Sequence, residues 1–193
     1  MVKGKGGRLM RERIMLATID EMNERGSKFT MDDLAYRLGV SKRTIYENFS
    51  SKGDLIGAVI NLFIEKIEEK DNEIINDKSL SSIEKLKRFA LVIRDELKYI
   101  NERTIYEAER YFPKHWKKID RWMQERATIQ KEVIKEGIEK GEIRDINPDI
   151  LIKMLNEAKN WILDHKFLQE QKISMFDAAG SFFDIILFGV AKK

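Results

Sequence analysis

Apolar residues recur every three or four positions along nearly the whole chain, and no stretch alternates at period two for the length of a strand. The pattern therefore predicts helices and no sheet. Two short amphipathic runs, "MDDLAYRL" and "SKRTIYENF", flank Gly39, and much longer runs follow them. Their ends are marked by polar signals. Thr30-Met31-Asp32-Asp33, Ser51-Lys52-Gly53-Asp54, Ser81-Ser82-Ile83-Glu84 and Ser174-Met175-Phe176-Asp177 each set a hydroxyl three residues before a carboxylate, the pattern of a capping box. Asn147-Pro148 offers a cap followed by proline at the first helical position, and Gly26, Gly39 and Gly141 stand where helices stop. The predicted helices lie near 8–25, 31–38, 42–48, 52–75, 82–100, 103–112, 115–140, 148–168 and 174–191. The expected fold is all-α with about nine helices: a small three-helix domain over 1–51 fused directly to a helical bundle over 52–193. Residues 1–7 read as a mobile basic tail. Ile56, Val59, Ile60, Phe63 and Ile67 are expected to anchor the joining helix in the bundle.

Composition narrows the chemistry. With 193 residues, 42% hydrophobic and 36% charged, the chain has enough apolar content for a sizeable core and does not read as disordered. It has no cysteine, which excludes disulfides and thiolate zinc sites. Its two histidines, His115 and His165, form no ligand-spaced pair, so no metal is expected. A glycine-rich phosphate loop and a localisable Ser/His/Asp set are both missing, so the expectation is no catalytic residue, no cofactor and no enzymatic activity. No apolar run reaches membrane-spanning length and the N-terminus lacks a signal-type apolar core, so a cytoplasmic protein without a membrane partner is expected. Residues 1–53 carry 11 Lys/Arg against 7 Asp/Glu, and the remainder 25 against 26. A basic first quarter on a neutral body suits a polyanionic partner.

Leu34, Ala35, Leu38, Val40, Ile45 and Phe49 form one inward surface across the two short helices. Ala35 is small where the helices would cross, and Gly39 tolerates the positive φ of a tight turn. Such an arrangement fits a helix-turn-helix, and it equally fits an αα-hairpin that merely packs. The outward face favours the first. Lys42, Arg43, Thr44, Tyr46 and Glu47 lie outside or on the flanks, and arginine bonds guanine O6 and N7 together while lysine and threonine reach phosphates. Ser41 caps the second helix, Lys52 opens the next one, and Arg8, Arg11 and Arg13 add positive charge on the first.

The segment ending in "LAYRLGVSKRTIYENFSSKGDL" resembles the DNA-binding domain of the tetracycline-repressor (TetR) family of bacterial transcriptional regulators. The resemblance covers about the first quarter of the chain. It implies that Thr30, Ser41 and Lys52 contact phosphate, and that Lys42, Arg43, Thr44 and Tyr46 face the major groove, with Asn48 at a further DNA-facing position. Arg43 stands where the family often has Gly or Ala, and Gly53 where it often has Glu. The implied partner is a palindromic double-stranded DNA operator, bound by a homodimer and released by a small-molecule effector.

In the larger part, Tyr106, Tyr111, Phe112, Trp116 and Trp122 cluster around Pro113 and, with Trp161, are candidates to line a pocket for an apolar or aromatic molecule; ordinary core packing is the alternative. The last helix is apolar on nearly all sides, so it needs cover on more than one face. Ile150, Met154, Trp161, Ala179, Phe183 and Ile186 are the expected dimer interface.

Overall fold

The structure, a computed structural model, describes residues 3–162 and 164–190, and the side chains among them other than those of residues 3–6, 159–162, 165 and 190. The described residues form ten α-helices and no strand: α1 (Lys3–Arg25), α2 (Met31–Leu38), α3 (Lys42–Asn48), α4 (Lys52–Asn76), α5 (Ser82–Leu97), α6 (Glu102–Tyr111), α7 (Pro113–Glu139), α8 (Pro148–Ile162), α9 (His165–Gln171) and α10 (Met175–Val190). A 3₁₀ turn at Gly26–Lys28 follows α1.

The expected caps form. Thr30 accepts from the Asp33 N–H while Asp33 reaches back to the Thr30 N–H, and Ser81 and Glu84 do the same for α5. Gly39 ends α2 at φ 65°, a left-handed conformation in which a side chain would be strained. Most boundaries fall within three residues of expectation, and two differ by more. α1 continues back to Lys3, because propagating a helix adds a hydrogen bond per residue once the costly nucleus exists. The stretch expected as one helix over 148–168 is two, because the Asp164 side chain accepts from the N–H groups of Lys166 and Phe167, both at 3.1 Å, and starts α9 afresh.

Two compact units result. The first comprises residues up to Glu65 with Tyr99–Ile119, and the second Lys66–Lys98 with residues from Asp120 onward. Ile14, Leu34, Ile45 and Leu55 are wholly buried at the centre of the first unit, with Phe29 and Phe49 beside them. Burying each such side chain contributes about 1.5–3 kcal/mol. Ile56, Val59 and Ile60 belong to this core and not to the bundle, because α4 leaves the three-helix domain without a break and its first turns continue the same apolar surface. Ile67, further along, is buried in the second unit.

Polar bonds also tie α6 into the first unit. Asn23, near the end of α1, donates through Nδ2 to the Tyr99 carbonyl at 2.7 Å. Its Oδ1 accepts from the Asn101 N–H and the Thr104 hydroxyl, both at 3.0 Å, and its carbonyl accepts from Asn101 Nδ2 at 2.9 Å. Glu107 accepts from the Ser27 N–H and, at 2.8 Å, from Arg103 Nε. Burial pushes the Glu107 carboxyl up, but these donors outweigh it and leave the group below its ordinary value. His115 of α7 packs onto α4 so closely that a Cβ at Gly57 would lie 2.5 Å from Nδ1.

In the second unit, α10 packs on α5 and α8, and α9 on α8. Its interior holds a charge pair. Arg126 donates through Nε and Nη2 to Asp71 at 2.5 and 2.9 Å and through Nη2 to the Phe89 carbonyl at 2.7 Å. Both side chains are about one-twentieth exposed, at 4% and 5%. The guanidinium carbon also lies 5.3 Å from the Phe89 ring centroid and 5.8 Å from that of Trp122.

Candidate nucleic-acid interface

α2 and α3 meet through the buried Leu34, Ala35 and Ile45, with Leu38 and Val40 packed against them. The Val40 N–H bonds the Ala35 carbonyl at 3.0 Å and the Gly39 N–H bonds that of Tyr36 at 3.2 Å, closing the turn. Ser41 then starts α3 by accepting from the Thr44 N–H at 3.1 Å. With Ile45 and Phe49 turned in, the helix presents Lys42, Arg43, Tyr46 and Glu47 to solvent.

The charged groups on this face are already paired. Lys42 Nζ donates to Asp32 at 2.8 Å, and Arg43 Nε to Glu47 at 2.8 Å. All four side chains are exposed, Arg43 most, at 86%. These bonds raise the pKa values of Lys42 and Arg43, so both remain cationic. Tyr46 is 46% exposed, with the Lys42 ammonium 6.0 Å from its ring centroid.

Other candidate residues are engaged within the protein. The Thr30 hydroxyl donates to Asp33 at 2.8 Å. Thr44 is half-buried, its hydroxyl 2.9 Å from that of Ser41. Asn48 Nδ2 donates to the Thr44 carbonyl at 2.8 Å, along its own helix. Lys52 is half-buried; its ammonium donates to the Ser27 carbonyl at 2.5 Å and to that of Phe29, and lies 3.9 Å from the Phe29 ring centroid. Desolvation lowers its pKa, opposed by the charges of Asp33 and Glu107. Arg11 bonds the Asn48 carbonyl at the end of α3, its guanidinium carbon 4.0 Å from the Phe49 ring centroid, while Arg8 pairs with Glu12 at 3.3 Å. Sequence reasoning missed that Arg11 holds α3, and also the 89% exposure of Tyr36 on α2. The signal for Arg11 was weak, because an arginine near a helix start reads as solvated until the fold brings a carbonyl to it.

The remaining candidates are divided between the two compact units. Tyr106, Phe112 and Trp116 are half-buried in the first unit, and Tyr111 there is 55% exposed. Trp122 is buried in the second unit. The side chain of Trp161 lies outside the described residues. Ile150 and Met154 are 62% and 49% exposed, whereas Ala179, Phe183 and Ile186 are half-buried. Among the described residues no group of three or more His, Asp or Glu is placed to hold a metal, and no helix is long and apolar enough to cross a membrane.

Residues 14–59 match the family model described as "Bacterial regulatory proteins, tetR family". An uncharacterized HTH-type transcriptional regulator of Bacillus subtilis, YvaF, is 29% identical over 94% of this chain and 95% of its own length. Among solved structures, a TetR-family transcriptional regulator from Marinobacter aquaeolei superposes with a TM-score of 0.76 at 15% identity, covering 94% of this chain and 91% of that one. The fatty acid degradation regulator FadR from Bacillus halodurans gives 0.69 at 17% identity, covering 92% and 94%. The turn and its outward basic face lie within the stretch that matches the tetR family model, and the chain is similar along nearly its whole length to an HTH-type transcriptional regulator and to the fold of TetR-family regulators.

Proposed function

We propose that the protein is a repressor that binds a palindromic operator as a homodimer and is released by a small apolar effector. Residues 1–51 then serve as the reading domain and 52–193 as the sensing and dimerisation domain. The observation that carries the reading is the solvent-facing row of Lys42, Arg43 and Tyr46 on α3, held on a buried apolar base. Arg43 reads guanine, and Lys42, Thr30 and Ser41 meet phosphates. Lys52 uses two of its three N–H groups on carbonyls and keeps one for a phosphate. The chemistry is binding alone, with no catalytic group assigned.

Dimerisation is supported by apolar side chains left in solvent on α8 and α10: Ile150, Met154, Ile185 and Phe188, the last two 71% and 78% exposed. Exposed apolar side chains one turn apart on each of two helices favour a self-complementary partner. An apolar effector is supported by the fold shared with a regulator of fatty acid degradation. The alternative reading is a DNA-binding regulator without effector control; the crevice of the second unit lined by Leu86, Leu151, Leu155, Phe183 and Ile186 leaves about 10 Å³, too little for an effector at that place.

The test is selection of bound duplexes from a randomised library, followed by sedimentation of the free protein. A two-fold symmetric motif and dimer mass are expected; a monomer, or the absence of any enriched motif, refutes the proposal. Operator affinity with saturating decanoate or oleate, each first shown to bind, separates the two readings. Loss of affinity supports release by effector, and unchanged affinity supports the second reading.

A further inference from the structure

We infer that Glu47 is a specificity-determining residue: it holds the Arg43 guanidinium by its Nε edge, so that the remaining N–H pair is presented for a guanine and is kept from wandering to phosphates. The inference rests on the reading of α3 as the DNA-reading helix.

Glu47 follows Arg43 by one turn, and Arg43 Nε donates to Glu47 Oε1 at 2.8 Å. A guanidinium offers five N–H groups in a rigid fork, and the bond to Glu47 occupies the edge nearest the helix. The two terminal nitrogens remain available on a side chain that is 86% exposed. Guanine O6 and N7 are met by two N–H groups in one plane, so this contact forms without breaking the bond to Glu47. A phosphate lacks that requirement and draws any cation within reach. Arg43 swinging to a phosphate must leave Glu47, and the carboxylate itself repels the backbone. Glu47 therefore handicaps non-specific complexes while sparing the specific one.

Lys42 supplies the internal contrast. Its partner Asp32 also lies at 2.8 Å and is also exposed. An ammonium is a point charge with no preferred plane, so Asp32 only subtracts charge and gives no orientation. Asp32 is not the carboxylate of the α2 capping box, which is Asp33, so neutralising it leaves that cap intact.

The experiment compares wild type, Glu47→Gln, Asp32→Asn, Arg43→Ala and Arg43→Ala/Glu47→Gln. Each is measured against the duplex selected by the wild type and a scrambled duplex of equal length, at two salt concentrations. Asp32→Asn tightens both duplexes alike, about 3- to 10-fold for two protomers, as removal of a weak exposed pair and a like charge near phosphate should. Glu47→Gln tightens only the scrambled duplex by about that factor and leaves the selected one unchanged or weaker, so their affinity ratio falls by at least about 3- to 10-fold. Adding Glu47→Gln to Arg43→Ala changes the ratio no further. The role of Glu47 is overturned if Glu47→Gln moves both duplexes together, or if it alters base preference even without Arg43, which would make it a direct reader. A wild type that selects no motif, or an Arg43→Ala variant that keeps the full motif, overturns the reading of α3 and this role with it.

Discussion

Replacing Arg126 with Met should be among the most damaging single changes available in the second unit. The guanidinium gives Asp71 two hydrogen bonds and the Phe89 carbonyl a third, in a site where both charged side chains are almost fully buried. Met fills much of the volume but leaves a carboxylate in the interior with its two donors gone. Breaking one side of a buried pair costs about 3–5 kcal/mol, while the Phe89 carbonyl, in the middle of α5, keeps its place in the helical ladder. For a chain of this size about 4 kcal/mol lowers Tm by roughly 8–16 °C. The double variant Arg126→Met/Asp71→Leu removes both charges and should recover to within about 1 kcal/mol of wild type, because well-packed apolar residues replace buried pairs at little net cost. Urea unfolding followed by far-ultraviolet circular dichroism measures all three, at one protein concentration because self-association shifts the midpoint. An Arg126→Met variant that loses less than about 1 kcal/mol would refute the reasoning. So would a double variant as unstable as the single, since the unpaired charge would then not be the cause.

Gly57→Ala should cost about 1–3 kcal/mol, because the new methyl lands 2.5 Å from His115 Nδ1; the pair Gly57→Ala/His115→Ala should regain part of it in the same unfolding assay. The Asp33 carboxyl is held below its ordinary value by hydrogen bonds from Thr30, assisted by Arg25. A lowered folded pKa gives stability that is present above the unfolded value and lost as pH falls through the folded one, so Asp33→Asn should flatten acid unfolding below about pH 4 and leave its slope near pH 6 unchanged. Ala179→Glu should convert the proposed dimer to monomer or aggregate in sedimentation and abolish tight operator binding; a monodisperse dimer with normal affinity would refute the α8–α10 interface.

The elements that were legible in the sequence owe it to local chemistry. Capping at Thr30, Ser41 and Ser81 needs only residues within one turn, and the stop at Gly39 needs only its missing Cβ, so those boundaries appear where expected. The apolar base of the helix-turn-helix follows from spacing in the same way. What stayed hidden depends on partners distant along the chain. Asp71 and Arg126 look like solvated positions on long charged helices, and only packing that brings together α4, α5 and α7 of the second unit shows them as a buried pair. Lys52 reads as a free cation until the Ser27 and Phe29 carbonyls close over it. The aromatics around Pro113 are close in sequence, yet Trp116 and Trp122 fall into different compact units. Asp164 was missed for a different reason: its cap to the Lys166 and Phe167 N–H groups is local, but the apolar run passes through it and the periodicity does not announce that a new helix begins there.

The bonds around Asn23 bear on how freely this reading head can be transplanted. The first compact unit is discontinuous in sequence, and Asn23 joins its two pieces through Tyr99, Asn101 and Thr104 while Ser27 does so through Glu107. A chimera that cuts at residue 51 and fuses the three helices to another bundle leaves all four partners behind. The Asn23 side chain and the Ser27 N–H would then face whatever residues the recipient happens to supply. A graft that also carries 99–119 retains every one of these bonds, as does a recipient already bearing asparagine and glutamate at the matching positions. Exchange of DNA specificity between relatives is therefore expected to depend on a cap on α6, far along the chain from the α3 residues proposed to meet DNA.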